Sequence, residues 1–160
     1  MSGSAACADI RYREAALDEE LIARLIALSA DWEAENSCFG YRKNTPEDIE
    51  GNRVFLAQNG DGIVAYLFGH SSEAKNMSSI LPEGEAFFEV EELYVVPSCR
   101  CMGIGQTLFR FMESCLSGEA GTILLSTATK NHRAILHFYI DELDMRFWSA
   151  RLFKRLVTEA

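Results

Sequence analysis

The stretch from Phe87 to Gly105 constrains this chain most. Phe87 to Val96 is its longest strand-like run, rich in aromatic and β-branched residues and stopped by Pro97, which cannot continue a ladder. A short loop follows, and Gly103-Ile104-Gly105 opens a helix whose Ile104, Leu108, Met112 and Cys115 recur on one face. A strand that passes through a glycine-bearing loop into a helix gathers backbone N–H groups and the positive end of the helix at one point. Arg100 adds a cation there. Together these parts describe a phosphate or pyrophosphate cradle. It is not a dinucleotide fingerprint, because Leu108 stands where a third glycine is required, and the Gly-Lys-Ser/Thr of a P-loop is absent.

The remaining elements surround this unit. Ile10 to Tyr12 reads as a short first strand. Leu21, Leu25, Leu28 and Trp32 recur at helical spacing behind Asp18-Glu19-Glu20, an N-cap followed by first-turn acids. Thr45-Pro46-Glu47-Asp48 starts a second, short helix with Pro in its first turn. Val54 to Ala57 and Ile63 to Phe68 are strands around Asn59-Gly60-Asp61-Gly62, a hairpin signal. Ser71 to Gly84 reads as a loop, Thr122 to Thr127 as a strand, and Asn131 to Leu143 as a helix. Phe147-Trp148 and Arg151 to Val157 read as one or two closing strands. Three strands in a row before a helix predict a mixed α+β sheet rather than a βαβ repeat.

At 160 residues, 48% apolar and 24% charged, the chain is expected to form one globular domain over 1–160, with residues 1–8 as a disordered start. Its net charge of −9 argues against non-specific binding of nucleic acid, which depends on neutralising phosphates. No apolar run nears the roughly 20 residues that cross a bilayer, so no membrane partner is expected. The first seven residues carry neither Lys nor Arg nor an apolar core, so they are not a signal peptide, and a cytoplasmic protein is expected. Five cysteines without a C-x-x-C pair indicate neither a disulfide framework nor a zinc site, and Cys99 and Cys101 read as free thiols. His70, His132 and His137 have no metal-ligand spacing, and no metal is expected.

The full string is more specific than its glycines. Arg100-x-x-Gly103-x-Gly105 after the strand end Leu93-x-Val95-x-Pro97 resembles motif A of the GNAT family of N-acetyltransferases. The element order resembles that fold over nearly the whole chain. The resemblance implies three layers, with a mixed, mostly antiparallel twisted sheet of about six to seven strands flanked by about four helices. It implies acetyl coenzyme A as cosubstrate, with Arg100, Cys101, Met102, Gly103, Ile104, Gly105 and Gln106 at the pyrophosphate. The preceding strand would splay from its neighbour, and Leu93, Tyr94 and Val95 would line the pantetheine.

A second resemblance lies in Asn131-His132-Arg133-Ala134-Ile135, followed by Phe138-Tyr139, near the coenzyme's thiol end in the family. It implies that Asn131 contacts the coenzyme and that a tyrosine protonates the leaving thiolate. The family spaces that tyrosine seven residues after the asparagine. Here Phe138 occupies that position and Tyr139 follows, so either a one-residue bulge in the helix restores Tyr139 or another group is the acid. The core-packing role of an amphipathic Tyr139 is the alternative. The Gly-Phe that usually follows this helix is replaced by Asp144-Met145-Arg146-Phe147. Lys130 and Arg133 flank Asn131 and could meet the coenzyme's phosphates or solvent.

The chemistry explains why these parts are needed. An alkyl amine with a pKa of about 10.4 is neutral in only roughly one molecule per few thousand at pH 7, so a base must take its proton as it attacks the thioester. A backbone N–H, with Val95 the candidate, would meet the charge developing on the acetyl oxygen. Glu89, Glu91 and Glu92 are the base candidates, and strand alternation sets Glu92 on the face opposite the other two unless a bulge reverses it. Glu91 is favoured because diamine acetyltransferases resembling this chain carry a glutamate there, and Glu92 comes second; Arg151-Leu152-Phe153-Lys154 resembles those enzymes too.

The acceptor is expected between Trp32 and Tyr41 and in the stretch 71–85, where Asp31, Glu33, Glu35, Glu83 and Glu85 suit a cationic amine such as a polyamine. A protein or peptide amine is the alternative acceptor, and a non-catalytic acyl-coenzyme-A-binding module the alternative class. Transfer is expected to be direct, without a cysteine intermediate. A homodimer is compatible with edge strands near the C-terminus.

Overall fold

The computed structural model describes residues 7–156. One five-stranded sheet runs in the order β1 (Arg11–Ala15), β2 (Arg53–Asn59), β3 (Gly62–Glu73), β4 (Ala86–Val95) and β5 (Thr122–Leu125). The first four strands are antiparallel to their neighbours, and β5 alone is parallel to β4. Four α-helices complete the fold: α1 (Glu19–Glu35), α2 (Pro46–Ile49), α3 (Ile104–Cys115) and α4 (His132–Leu136), the last continued by a π-helical stretch, His137–Glu142. Among the described residues no helix is long and apolar enough to cross a membrane.

Local chemistry sets the element boundaries. Asp18 caps α1 by accepting a 2.7 Å bond from the Leu21 amide, and Asn36 ends it in the left-handed region at φ 52°. Gly60 and Asp61 form the two-residue turn between β2 and β3, with Asn59 paired to Gly62. β3 runs three residues into the expected 71–84 loop. The rest of that loop wraps a small cluster of Ala74, Leu81 and Phe87.

The helices lie on both faces of the sheet, giving the three expected layers. On one face Leu21 and Leu25 of α1 and Ile49 of α2 pack on Val54, Leu56, Tyr66, Phe68 and Tyr94. On the other, Ile104, Leu108, Phe109 and Met112 of α3 pack on Phe55, Ala57, Leu67, Phe88 and Val90. Each fully buried side chain of this size contributes about 2 kcal/mol. β2 and β3 carry apolar residues on both faces, which is why they read as unbroken apolar runs.

Two expectations are corrected. The sheet has five strands, not six to seven, because residues 144–156 form no strand; Val157 lies outside the described residues. Cys99 is not a free thiol: it is bonded to Cys7, with their Cα atoms 5.8 Å apart, while Cys38, Cys101 and Cys115 are free. The two partners are 92 residues apart, so only folding brings them together. The expected disordered start over 1–8 falls outside the described residues for 1–6, and Cys7 is anchored through this bond.

Candidate functional site

β4 and β5 pair only from Phe87↔Thr122 to Val90↔Leu125. Beyond that point β4 continues to Val95 while β5 ends, so the segment Glu91 to Val95 has an open edge on the β5 side. The opening leads to the start of α3. There Gly103 is the N-cap at φ +77° and no side chain caps the helix. Among the described residues the backbone N–H groups of 101–106 have no acceptor; the first one used in this turn is Thr107, bonded to the Gly103 carbonyl. Gly105 is closely packed: a Cβ there would stand 3.3 Å from Val95 Cγ2 and 3.5 Å from Phe138 Cζ. The glycine lets the first turn of α3 settle against the end of β4.

Arg100 is engaged with β4 and α1. Its Nε donates to the Val95 carbonyl at 2.9 Å, its Nη2 to Glu35 Oε1 at 2.8 Å, and its guanidinium lies 5.4 Å from the centre of the Tyr94 ring. It therefore ties the loop to β4 and α1. Cys101 adopts a left-handed φ of 61°, and both Cys101 and Met102 are exposed.

The glutamates on β4 are arranged by a bulge. Phe68 pairs with Glu92 and Gly69 with Val90, which leaves Glu91 as the extra residue. Alternation is reversed there: Tyr94 joins the α1 face, whereas Val90 and Phe88 join the α3 face. Glu92 and Glu89 thus share one face of the sheet despite their odd spacing. The bulge depends on Gly69, where a Cβ would stand 2.1 Å from the Glu89 carbonyl oxygen.

Glu92 enters an aromatic chamber. Tyr66 Oη donates to its Oε2 at 2.8 Å, Asn44 Nδ2 to Oε2 at 3.0 Å, and Tyr41 Oη reaches both oxygens at 3.1 and 3.2 Å. Asn44 is buried and held in turn by its backbone N–H donating to Ser29 Oγ. Trp32 stacks between Tyr41, 4.4 Å away, and Tyr94, 5.3 Å away. Burial pushes the Glu92 pKa up; the three hydrogen bonds oppose this, and the charge of Asp48 adds to the rise. Burial, followed by the charge of Glu92, also raises Tyr66 and Tyr41, so both stay protonated as donors. Burial and the bond to Glu35 do the same for Tyr94, whose hydroxyl donates to Glu35 at 2.8 Å.

Glu91 and Glu89 lie outside this chamber. His70 Nδ1 is 3.5 Å from Glu91 and its Nε2 is 4.0 Å from Glu89, all three side chains being partly exposed. Their ligating atoms lie within 4.8 Å of one another, so this trio is the group of described residues able to approach a cation together. Glu47, Asp48, Glu50 and Asn52 line the same acidic depression as His70 and Glu91. Glu33 and Glu35 lie on the last turn of α1, whereas Glu83 folds back onto the Asn76 amide within its own loop.

Phe138 and Tyr139 lie in the π-helical stretch, His137–Glu142. Asn131 caps α4, its Oδ1 accepting from the Ala134 amide at 3.4 Å. Tyr139 packs edge-on against Phe109 and Phe138, and burial pushes its hydroxyl up to about 12. Among the described residues that hydroxyl has no hydrogen-bond partner. Lys130 donates to Asn36 Oδ1, His137 contacts Asp141, and neither His132 nor Arg133 enters the opening through a bond or ion pair.

Sequence reasoning missed the chamber around Glu92. Tyr41 and Trp32 lay within the expected acceptor segment, but Tyr66 and Asn44 carry no motif; their place depends on strand register and on the turn before α2.

A family model for the acetyltransferase (GNAT) domain matches residues 50–141, which contain the bulge, the open strand edge and the uncapped helix. The chain belongs to the GNAT acetyltransferases. No curated protein matches this GNAT chain in sequence. Among solved structures it is similar to an acetyltransferase from Trypanosoma brucei, with 18% identity and a TM-score of 0.62 over 92% of this chain and 100% of that one. It is also similar to an aminoglycoside acetyltransferase from an uncultured soil metagenomic sample, with 15% identity and a TM-score of 0.67 over 93% and 99%. A second soil-metagenome aminoglycoside acetyltransferase, solved with sisomicin, gives 17% identity and a TM-score of 0.66 over 92% and 97%. At these identities the likeness is one of fold. The protein is a GNAT N-acetyltransferase.

Proposed function

We propose that this GNAT enzyme transfers the acetyl group of acetyl coenzyme A directly to a primary amine on a small cationic acceptor. The observation that carries the reading is the opening between β4 and β5, with six N–H groups, those of 101–106, that have no acceptor among the described residues at its mouth. Donors of that kind, at the positive end of α3, fit a pyrophosphate. The free edge from Leu93 to Val95 fits an extended amide-bearing arm, which would pair with it as a strand does. The coenzyme supplies an activated acetyl group; the remaining roles belong to the chain.

Glu92 is the base in this reading, in preference to Glu91. Its raised proton affinity suits it to accept a proton from the amine, and Oε1, bonded only to Tyr41, retains room for that proton. Glu91 and Glu89, with His70, lie at the acidic rim and attract the cation. The N–H of Val95 is the donor to the developing charge on the acetyl oxygen. The unpartnered hydroxyl of Tyr139 is the donor to the departing thiolate. Asn131 holds the helix start beside it.

Calorimetric titration with acetyl coenzyme A tests the cradle. Gly103→Glu, which places an anion beside the free amides where a Cβ has open space, is expected to abolish binding. A folded wild type that does not bind overturns the reading. Glu92→Gln is then expected to keep coenzyme affinity and lose turnover in a screen of diamines and polyamines.

A further inference from the structure

Three arginines of this acidic chain converge on one cleft. Arg11 and Arg13 of β1 and Arg24 of α1 line a space of about 520 Å³ together with Gln58, Asp9 and Asp61. Strand register explains the convergence. Arg11 pairs with Gln58 and Arg13 with Leu56, and Leu56 belongs to the face of the sheet that carries α1. Residues two apart on a strand share a face, so Arg11, Arg13 and Gln58 all stand on that side. The helix of the cradle, α3, packs on the other.

The donors are held in place but not used up. Gln58 is only 8% exposed; its Oε1 accepts from Arg13 Nε at 2.6 Å, and its Nε2 has no acceptor among the described residues. Arg24 Nη2 donates to the Asp61 carbonyl, which fixes the β2–β3 turn beside the cleft. The Nη groups of Arg13 and the whole Arg11 guanidinium have no hydrogen bond or ion pair among the described residues. Asp9 and Asp61 share the lining without pairing with any of the three arginines. An unpartnered donor on a buried residue is costly, as is gathering three cations, and an oxyanion relieves both.

The donor set indicates which anion. A carboxylate is planar and is satisfied by one guanidinium fork, whereas a phosphate monoester has three terminal oxygens and nearly two charges at pH 7. Three guanidinium groups and an amide N–H suit the second. The cleft is of the size that holds a small molecule rather than a lone phosphate. Asp9 and Asp61 can accept from hydroxyl groups, so a polyol suits the rest of that molecule.

We propose that this cleft binds a sugar phosphate, with the phosphate on Arg11, Arg13, Arg24 and the Gln58 amide and the sugar hydroxyls on Asp9 and Asp61. The site shares no residue with the cradle and does not depend on the chemistry proposed for Glu92 and Tyr139.

The test follows the backbone amides of the full chain by NMR during titration with ribose 5-phosphate. Shifts are expected at 9–13 and 58–61, whether or not those of 101–106 move as well, and ribose alone is expected to give none. Arg11→Gln changes an exposed side chain without a partner, so it is expected to keep the fold and weaken binding about 10- to 100-fold. Absence of shifts with ribose 5-phosphate overturns the proposal. So do shifts confined to 101–106, which put the phosphate in the cradle, or an Arg11→Gln variant that binds as wild type does. Coenzyme A and its 3′-dephospho form separate the two sources of a phosphate monoester. Shifts at 9–13 and 58–61 that require the 3′-phosphate, with none from ribose 5-phosphate, assign the arginines to the coenzyme and overturn the proposal too. Should Arg11→Gln misfold, the wild-type pattern decides alone.

Discussion

Tyr66→Phe isolates the coupling between stability and the proposed base. Tyr66 is fully buried and donates the shortest of the bonds to Glu92, at 2.8 Å. Removing the hydroxyl leaves shape and apolar contacts in place, including the stack on Phe68 at 5.7 Å. A hydrogen bond to an ionised, buried group is worth about 1.5–3 kcal/mol, and one to a neutral group about 0.5–1.5 kcal/mol. The substitution should therefore cost about 2 kcal/mol above the pKa of Glu92 and about 1 kcal/mol below it. For a domain of this size that is a fall in Tm of about 4–8 °C at pH 8, and roughly half that at pH 4. The sign follows from linkage. Glu92 binds its proton more tightly folded than unfolded, so it contributes stability below the ordinary carboxylate pKa that is lost as pH rises through its raised value. Loss of the Tyr66 bond, which lowers that pKa, raises it further and enlarges the loss. If Glu92 is the base, the acid limb of kcat/KM moves to higher pH in the same variant. Urea denaturation at the two pH values and a pH–rate profile read both effects. Equal destabilisation at both pH values, with an unmoved limb, would refute the argument.

The other predictions concern single groups. Tyr139→Phe removes a hydroxyl with no hydrogen-bond partner among the described residues, so stability and coenzyme affinity should stay near wild type while kcat drops about 100-fold; an unchanged kcat assigns Tyr139 to packing alone. Gly69→Ala forces a Cβ against the Glu89 carbonyl, so the bulge must shift or the strands part. Thermal melting should register a loss of about 3 kcal/mol, and activity should fall with it because Glu92 is turned from its chamber. A variant with wild-type stability and activity would mean that the bulge does not set the facing of these glutamates.

Much of the fold was legible because it is set locally. Asp18 caps α1, the Asn59-Gly60-Asp61-Gly62 stretch makes its hairpin, and Pro97 ends β4 before the glycines that open α3. Each is a matter of backbone conformation within a few residues. The closing strands were misread for the complementary reason. Phe147-Trp148 and 151–156 have strand chemistry, but that chemistry does not fix a partner, and among the described residues the segment pairs with neither β1 nor β5, the outer strands of the sheet. The Cys7–Cys99 pairing was invisible because nothing short of the fold brings residues 92 apart into contact.

The sequence by itself determined the unit from β4 to α3: strand, loop, Gly103, Gly105 and helix are contiguous, and contiguity fixes where their amides lie. It also determined that Glu89, Glu91 and Glu92 stand on that strand. Tertiary structure alone decided which carboxylate is buried. One unpaired residue opposite Gly69 reverses the facing of β4 and brings Glu92 to Tyr41, Asn44 and Tyr66. These four residues come from three separate segments, and burial with donated hydrogen bonds, not residue type, sets the proton affinity of a carboxylate.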